Sequence, residues 1–196
     1  IRNIKIYTEK YPKREVLKFD SNNKQIFSII KNYELQKILI EKLKKNKLTR
    51  FKNNIGNLDK YKLIINCDNQ NQITKKFFTN KIEKDYNSRA YTTIINHKKI
   101  SNNNIAYQNF TNKGPIAFLP ISSNQTSVVY SLRMKNYEDK IDINNLIRKY
   151  NPGYLINKIE ESSFFELKFS MLRKYYKNNI LAFGDLLHKI HPLAGQ

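Results

Sequence analysis

A single cysteine, Cys67, leaves the chain without an intrachain disulfide, which excludes a small cross-linked secreted scaffold and fits a reducing, intracellular setting. Glycine is also scarce. Gly56, Gly114, Gly153, Gly184 and Gly195 compose no Gly-x-Gly-x-x-Gly, so the phosphate-cradling turn of a dinucleotide-binding βαβ unit is not among these residues. No apolar run approaches the roughly 20 residues of a membrane-crossing helix, and no leader pattern is visible. Acidic residues are outnumbered 16 to 36 by Lys and Arg, giving a net charge of +20. Such a charge points first to nucleic acid or an anionic membrane. The lysines are scattered through the chain, however, and the densest group, Lys42, Lys44, Lys45 and Lys47, falls at the end of an expected helix, where cations are favourable. We therefore expect no nucleic-acid partner.

What is present suffices for a core: 40% hydrophobic and 12% aromatic residues over 196 positions, enough for one large domain or two small ones. Ile4 to Tyr7 and Val16 to Phe19 read as two antiparallel strands. From Asn32, as cap, Leu35, Ile38, Leu39 and Leu43 recur at helical spacing, predicting an amphipathic helix with one face packed inward. Lys60 to Asn66 is β-branched and aromatic, a strand running into Cys67-Asp68-Asn69. Between Tyr86 and Met171 the pattern is antiparallel β, at Ala90–Ile95, Ile105–Phe110, Ile116–Leu119, Ser127–Leu132 and Phe164–Phe169, interrupted by a helix carrying Ile143, Leu146, Ile147 and Tyr150. His97 falls in a Lys- and Asn-rich stretch and is expected to be exposed.

Candidate chemistry gathers at the end of the chain. Ile180-Leu181-Ala182-Phe183 reads as a short strand buried on both faces, followed by Gly184-Asp185. In open α/β sheets ligands bind at the carboxyl edge of the strands; a Gly there admits close approach, and an Asp accepts hydrogen bonds from sugar or ribityl hydroxyls. Pro192 and Gly195 then punctuate a turn. Asp185, His188 and His191 are spaced three apart and on a helix would form a metal-ligating face, but Pro192 argues against a helix and we expect no metal. The alternative without a ligand is a strand and turn with satisfied histidines. Asp68, likewise at a strand end, reads either as a ligand contact or as a turn cap.

The string Gly184-Asp185-Leu186-Leu187-His188 followed by His191-Pro192-Leu193-Ala194-Gly195-Gln196 resembles the second flavin-binding motif of flavin-dependent aromatic hydroxylases, the class A FAD monooxygenases. It is most similar to the branch that hydroxylates polyprenyl phenols in ubiquinone biosynthesis, where two alanines stand in place of Leu186 and Leu187. Ala106-Tyr107-Gln108-Asn109-Phe110, Gly114-Pro115-Ile116-Ala117-Phe118-Leu119-Pro120 and Ser127-Val128-Val129-Tyr130-Ser131 resemble substrate-domain strings of that branch. At the family's strand-end Asp-Gly motif this chain has Asp68 with Asn69 for Gly, Gln72 for Ser and Lys75 for Arg. Asn69 can adopt the positive φ that a turn Gly would, while Lys75 keeps charge without the guanidinium fork. Gln36 stands where the family carries a flavin-contacting Arg, and an amide cannot offset phosphate charge. Ile1 is not Met and Gln196 falls within a motif, so the chain is expected to be an internal piece of a longer protein.

The resemblance implies an α/β plus β fold, a para-hydroxybenzoate hydroxylase-like arrangement in which part of a Rossmann-like FAD-binding domain is interleaved with an antiparallel-sheet substrate domain. The implied borders are 1–28 at the edge of both domains, 29–76 in the FAD domain, 77–173 in the substrate domain and 174–196 returning to the FAD domain. The cofactor-binding residues it implies are Asp185, Gly184, Pro192, Gly195, Gln196, Asp68 and Gln36. It further implies a monooxygenase using FAD, NAD(P)H and O2 to hydroxylate a polyprenyl phenol, cytoplasmic with peripheral attachment to the inner membrane, within a ubiquinone-biosynthesis complex. No residue stands out as catalytic, because the cofactor carries that chemistry. Rival readings are a hydroxylase of a small soluble aromatic, an inactive flavoprotein remnant motivated by Gln36, Asn69, Gln72 and Lys75, and a basic module binding nucleic acid or a membrane surface. The chain taken alone is expected to be inactive.

Overall fold

The computed structural model describes residues 1–190 apart from 12–13, 23, 55 and 135–140. In chain order the elements are β1 (Asn3–Thr8), β2 (Leu17–Asp20), α1 (Asn32–Lys45), β3 (Ile64–Asn66), α2 (Gln72–Phe77), β4 (Lys81–His97), β5 (Ile105–Thr111), β6 (Gly114–Pro120), β7 (Gln125–Arg133), α3 (Ile143–Lys149), β8 (Ile156–Ile159), β9 (Ser163–Leu172), β10 (Tyr176–Lys177), β11 (Ile180–Ala182) and β12 (His188–Lys189). They group into two compact units, one of Ile1–Ile40 with Asn87–Glu166, the other of Glu41–Tyr86 with the chain from Leu167 onward. The strands β4 and β9 run through both.

The first unit is a sheet in the order β4-β7-β6-β5-β1-β2, with β8 also paired to β4. Every pairing is antiparallel except that of β1 with β5, which aligns Ile4 with Ala106 and Tyr7 with Asn109. The alternation seen in the sequence becomes a two-sided sheet, since successive side chains point to opposite faces. On one face Tyr91, Ile116, Phe118, Val128 and Tyr130 are buried, and α3 lays Ile143 and Ile147 over them. Each such fully buried side chain is worth roughly 1.5–3 kcal/mol. Burial also pushes the Tyr130 phenol up to about 12, although Thr111 Oγ1 lies 2.9 Å from its hydroxyl.

The second unit holds the three-stranded sheet β10-β11-β3, in which β11 and β3 are parallel, pairing Ile180 with Ile64 and Ala182 with Asn66. Its core is Ile73 and Phe78 from the α2 region against Leu172, Ile180, Ala182 and Leu186.

Four expectations are corrected. The helix α1 forms where its periodicity places it, with Asn32 as its first residue, but buries none of its residues. Leu35, Ile38, Leu39 and Leu43 stay 41%, 54%, 51% and 44% exposed, because no described element lies over that stripe. His97 is the last residue of β4 and 2% exposed. Its Nδ1–H donates to the Lys98 carbonyl at 2.8 Å, and Nε2 lies within hydrogen-bond distance of the Thr126 hydroxyl, at 3.0 Å. A carbonyl can only accept, so Nδ1 carries a proton in this bond. The strand expected from Lys60 begins only at Ile64, and the one at Ile180 ends at Ala182, with Leu181 half-buried and Phe183 58% exposed.

Candidate functional site

The parallel pairing of β3 and β11 brings the two strand-end carboxylates to the same edge of one sheet. Asn66 and Ala182 are register partners and the last residues of their strands, and Phe183 N–H closes the pair by donating to the Asn66 carbonyl at 2.9 Å. Asp68 follows two residues after Asn66, and Gly184-Asp185 two residues after Ala182. This is the carboxyl edge of a parallel pair, where α/β sheets take ligands.

Gly184 adopts φ +64°, and nothing lies within 4 Å of where a Cβ would project. It is required for its backbone conformation, and the space beside it is open to a ligand. Asp185 follows within a single 3-10 turn, exposed, and takes no hydrogen bond from another described residue. An exposed carboxylate at a strand end, beside an open glycine, is free to accept hydrogen bonds from hydroxyl groups. His188 opens β12 in place of continuing a helix, and no cluster of metal-ligating residues exists among the described residues. The expected contacts Pro192, Gly195 and Gln196 lie outside the described residues.

Asp68 turns out to be committed locally. Its Oδ1 accepts from Gln70 N–H at 2.7 Å, and its carbonyl accepts from Thr74 Oγ1 at 2.5 Å. The turn is organised by Asn66, 4% exposed, whose Nδ2 donates to Thr74 Oγ1 at 2.8 Å and whose Oδ1 accepts from Asn71 Nδ2 at 2.7 Å. Asn71 in turn caps α2 by accepting from Thr74 N–H at 2.9 Å. Asn69 therefore does not supply a positive φ; among the described non-glycine residues only Asn22, Asn87 and Asn178 do. Side-chain oxygens close this turn instead of a left-handed residue. Sequence reading missed Asn66 and Asn71, although an Asn directly ahead of a helix is a cap signal. Gln72 and Lys75 are exposed on α2, and Gln36 is exposed on α1, in the part of that helix assigned to the first unit.

The fold is that of the flavin-dependent hydroxylases. It matches aklavinone-11 hydroxylase, solved with FAD and aklavinone, with a TM-score of 0.52 at 8% identity, over 68% of this chain and 27% of that one. It also matches 2-methyl-3-hydroxypyridine-5-carboxylic acid oxygenase, with a TM-score of 0.51 at 13% identity, over 67% of this chain and 38% of that one. The α/β plus β expectation is thereby met. No family model matches the chain.

Within that class the curated relatives are ubiquinone biosynthesis monooxygenases. The chain is 23% identical over 176 residues to mitochondrial COQ6 of Danio rerio, covering 69% of this chain and 36% of that protein. It is 22% identical over 182 residues to mitochondrial COQ6 of Homo sapiens, covering 72% and 39%. The resemblance read from the motifs thus agrees with the relatives. The chain spans less than two fifths of the length of either.

Proposed function

We propose that this chain is part of an FAD-dependent monooxygenase that hydroxylates the ring of a polyprenyl phenol in ubiquinone biosynthesis. The observation that carries the reading is the parallel β3–β11 pair, with Gly184-Asp185 at its carboxyl edge, in a chain similar to ubiquinone biosynthesis monooxygenases. FAD, when bound and reduced by NAD(P)H, would supply the oxygen-transfer chemistry with O2. On this chain's side, Asp185 would accept from the ribityl hydroxyls and Gly184 would let the cofactor pass close to the backbone. Pro192, Gly195, Gln196 and Gln36 are proposed as further contacts. Asp68 would act mainly by shaping the turn after β3. The sheet β4-β7-β6-β5-β1-β2 would carry the phenol. The vertebrate relatives are named mitochondrial, which favours an organellar inner-membrane surface over the free cytoplasm. No described helix is long and apolar enough to cross a membrane. The positive charge suits peripheral attachment, at ~1 kcal/mol for each cation near an anionic bilayer, and association with other enzymes of the route is part of the same reading.

The test is Asp185→Ala in the full-length protein. Loss of a charge-assisted hydrogen bond costs about 1.5–3 kcal/mol, so the variant should copurify with roughly a tenth or less of the flavin at equal protein. Undiminished yellow colour would refute the role of Asp185. Disruption of the gene should in turn accumulate an under-hydroxylated polyprenyl phenol; unchanged quinones in a host without a second such hydroxylase would favour a small soluble aromatic as substrate.

A further inference from the structure

The strand β2 closes one end of the first unit's sheet. Among the described residues it pairs with β1 and with no other strand, so one row of its backbone N–H and C=O groups faces outward. All of its residues are exposed, Leu17 to 52% and Phe19 to 51%. The register sets Phe19 beside Ile4 and Leu17 beside Ile6, so these side chains share one face and form an apolar margin that ends at the open edge.

An open edge is a template for another strand, and proteins commonly guard it with lysine. The strand β2 carries a lysine, but its charge is balanced. Lys18 and Asp20 lie on the face opposite Phe19, with Lys18 Nζ 3.0 Å from Asp20 Oδ2, so the edge shows one charge of each sign. The order of these charges selects what can pair there. When a second copy of β2 runs antiparallel with Phe19 opposite Phe19, Lys18 of each copy stands opposite Asp20 of the other, and Leu17 opposite Ser21. A two-fold axis at Lys18 or at Asp20 would instead oppose like charges, which destabilises a strand pair. The register centred on Phe19 is therefore self-complementary in charge and in apolar surface, and it ends where the chain turns away at Asn22, φ +50°.

We propose that β2 is the interface of a homodimer, in which two copies of the chain join their sheets edge to edge about a two-fold axis at Phe19. The contact is isologous, the same surface serving both copies. The outward backbone groups of each β2 find their partners in the other, and the Phe19 rings form a cross-strand aromatic pair. Each Lys18 is shared between its own Asp20 and that of the second copy. The inference rests on the first unit alone and stands apart from the flavin reading.

The experiment is sedimentation equilibrium of the full-length protein over a range of concentrations, where the wild type should show a monomer–dimer equilibrium. Lys18→Asp and Asp20→Lys each oppose like charges twice across the two-fold axis, so each alone should weaken dimerisation about tenfold or more. Mixing the two variants puts opposite charges back at both positions, and the mixture should recover association close to that of the wild type. Lys18→Asp and Asp20→Lys combined in one chain should recover it too, and decide the matter if either single variant does not fold. A wild type that stays monomeric, single variants that associate as the wild type does, or no recovery on restoring the opposite charges would each overturn the proposal. The first of these would leave the open edge to a strand of another protein.

Discussion

Replacing Gly114 by Ala should destabilise the antiparallel unit more than any other glycine substitution at a described position. Gly114 opens β6 after the two-residue turn Asn112-Lys113 and adopts φ +137°, a conformation L side chains rarely take. A Cβ there would lie 2.0 Å from the Ser131 carbonyl oxygen and 3.1 Å from its carbon. Gly153, at φ +118°, has nothing within 4 Å of its Cβ position. The two sites share a backbone cost of about 1–3 kcal/mol. Only Gly114 adds overlap with another strand's backbone, which cannot rotate away as a side-chain end could. Ser131 pairs with Ala90 in the middle of the β4–β7 ladder, so yielding there strains a second strand pair. Overpacking adds about 1–3 kcal/mol, and an approach of 2.0 Å belongs at the upper end. Gly114→Ala should thus lose about 4–6 kcal/mol, or between about 8 and 24 °C in Tm, against about 1–3 kcal/mol for Gly153→Ala. The assay is thermal unfolding of both variants beside the wild type, followed by circular dichroism. Equal shifts for the two would refute the steric argument and leave only the common backbone cost.

Two further outcomes follow from titratable groups. Glu9 has its carboxyl lowered from 4.5 by the Asn112 N–H, then Tyr150 and Lys149, so its contribution is present above that pH and is lost as pH falls through the depressed folded value. Glu9→Gln should therefore lower Tm at pH 7 and lose less than the wild type on acidification below about 4.5; parallel acid limbs would refute the linkage. His97→Phe removes the partner of the Lys98 carbonyl and the Thr126 hydroxyl and should cost about 2–4 kcal/mol in urea unfolding, whereas a loss under 1 kcal/mol would show that water replaces the ring in those bonds.

The strands of the first unit were legible because a half-buried sheet writes its pairing into the sequence. The alternation from Ile116 to Pro120 and from Thr126 to Leu132 survives as alternating burial, and the Asn- and Gly-containing turns between strands fall where the register reverses. The helix α1 was equally legible as a helix, yet its burial was not. Periodicity states that Leu35, Ile38, Leu39 and Leu43 share one side; it does not state what covers that side. His97 failed for the converse reason. A Lys- and Asn-rich stretch looks solvated locally, but the ring's partners Lys98 and Thr126 come from a neighbouring residue and a neighbouring strand, and the second cannot be seen in a local window.

The edge of the second sheet separates two kinds of information in the same way. That Asp68 and Asp185 each end a strand was readable one motif at a time, but that those strands are parallel neighbours depends on a pairing across more than a hundred residues. Once paired, the two carboxylates differ in what surrounds them. Asp68 lies in a turn crowded with Asn66, Asn71 and Thr74, so its oxygen is drawn into closing that turn. Asp185 follows Gly184, whose missing side chain leaves the space beside it open. The same residue type at equivalent strand ends is thus structural on one strand and available to a ligand on the other. The difference follows from the local backbone: the turn after β3 directs the Gln70 N–H at the Asp68 carboxylate, and Gly184 at φ +64° leaves open space ahead of Asp185.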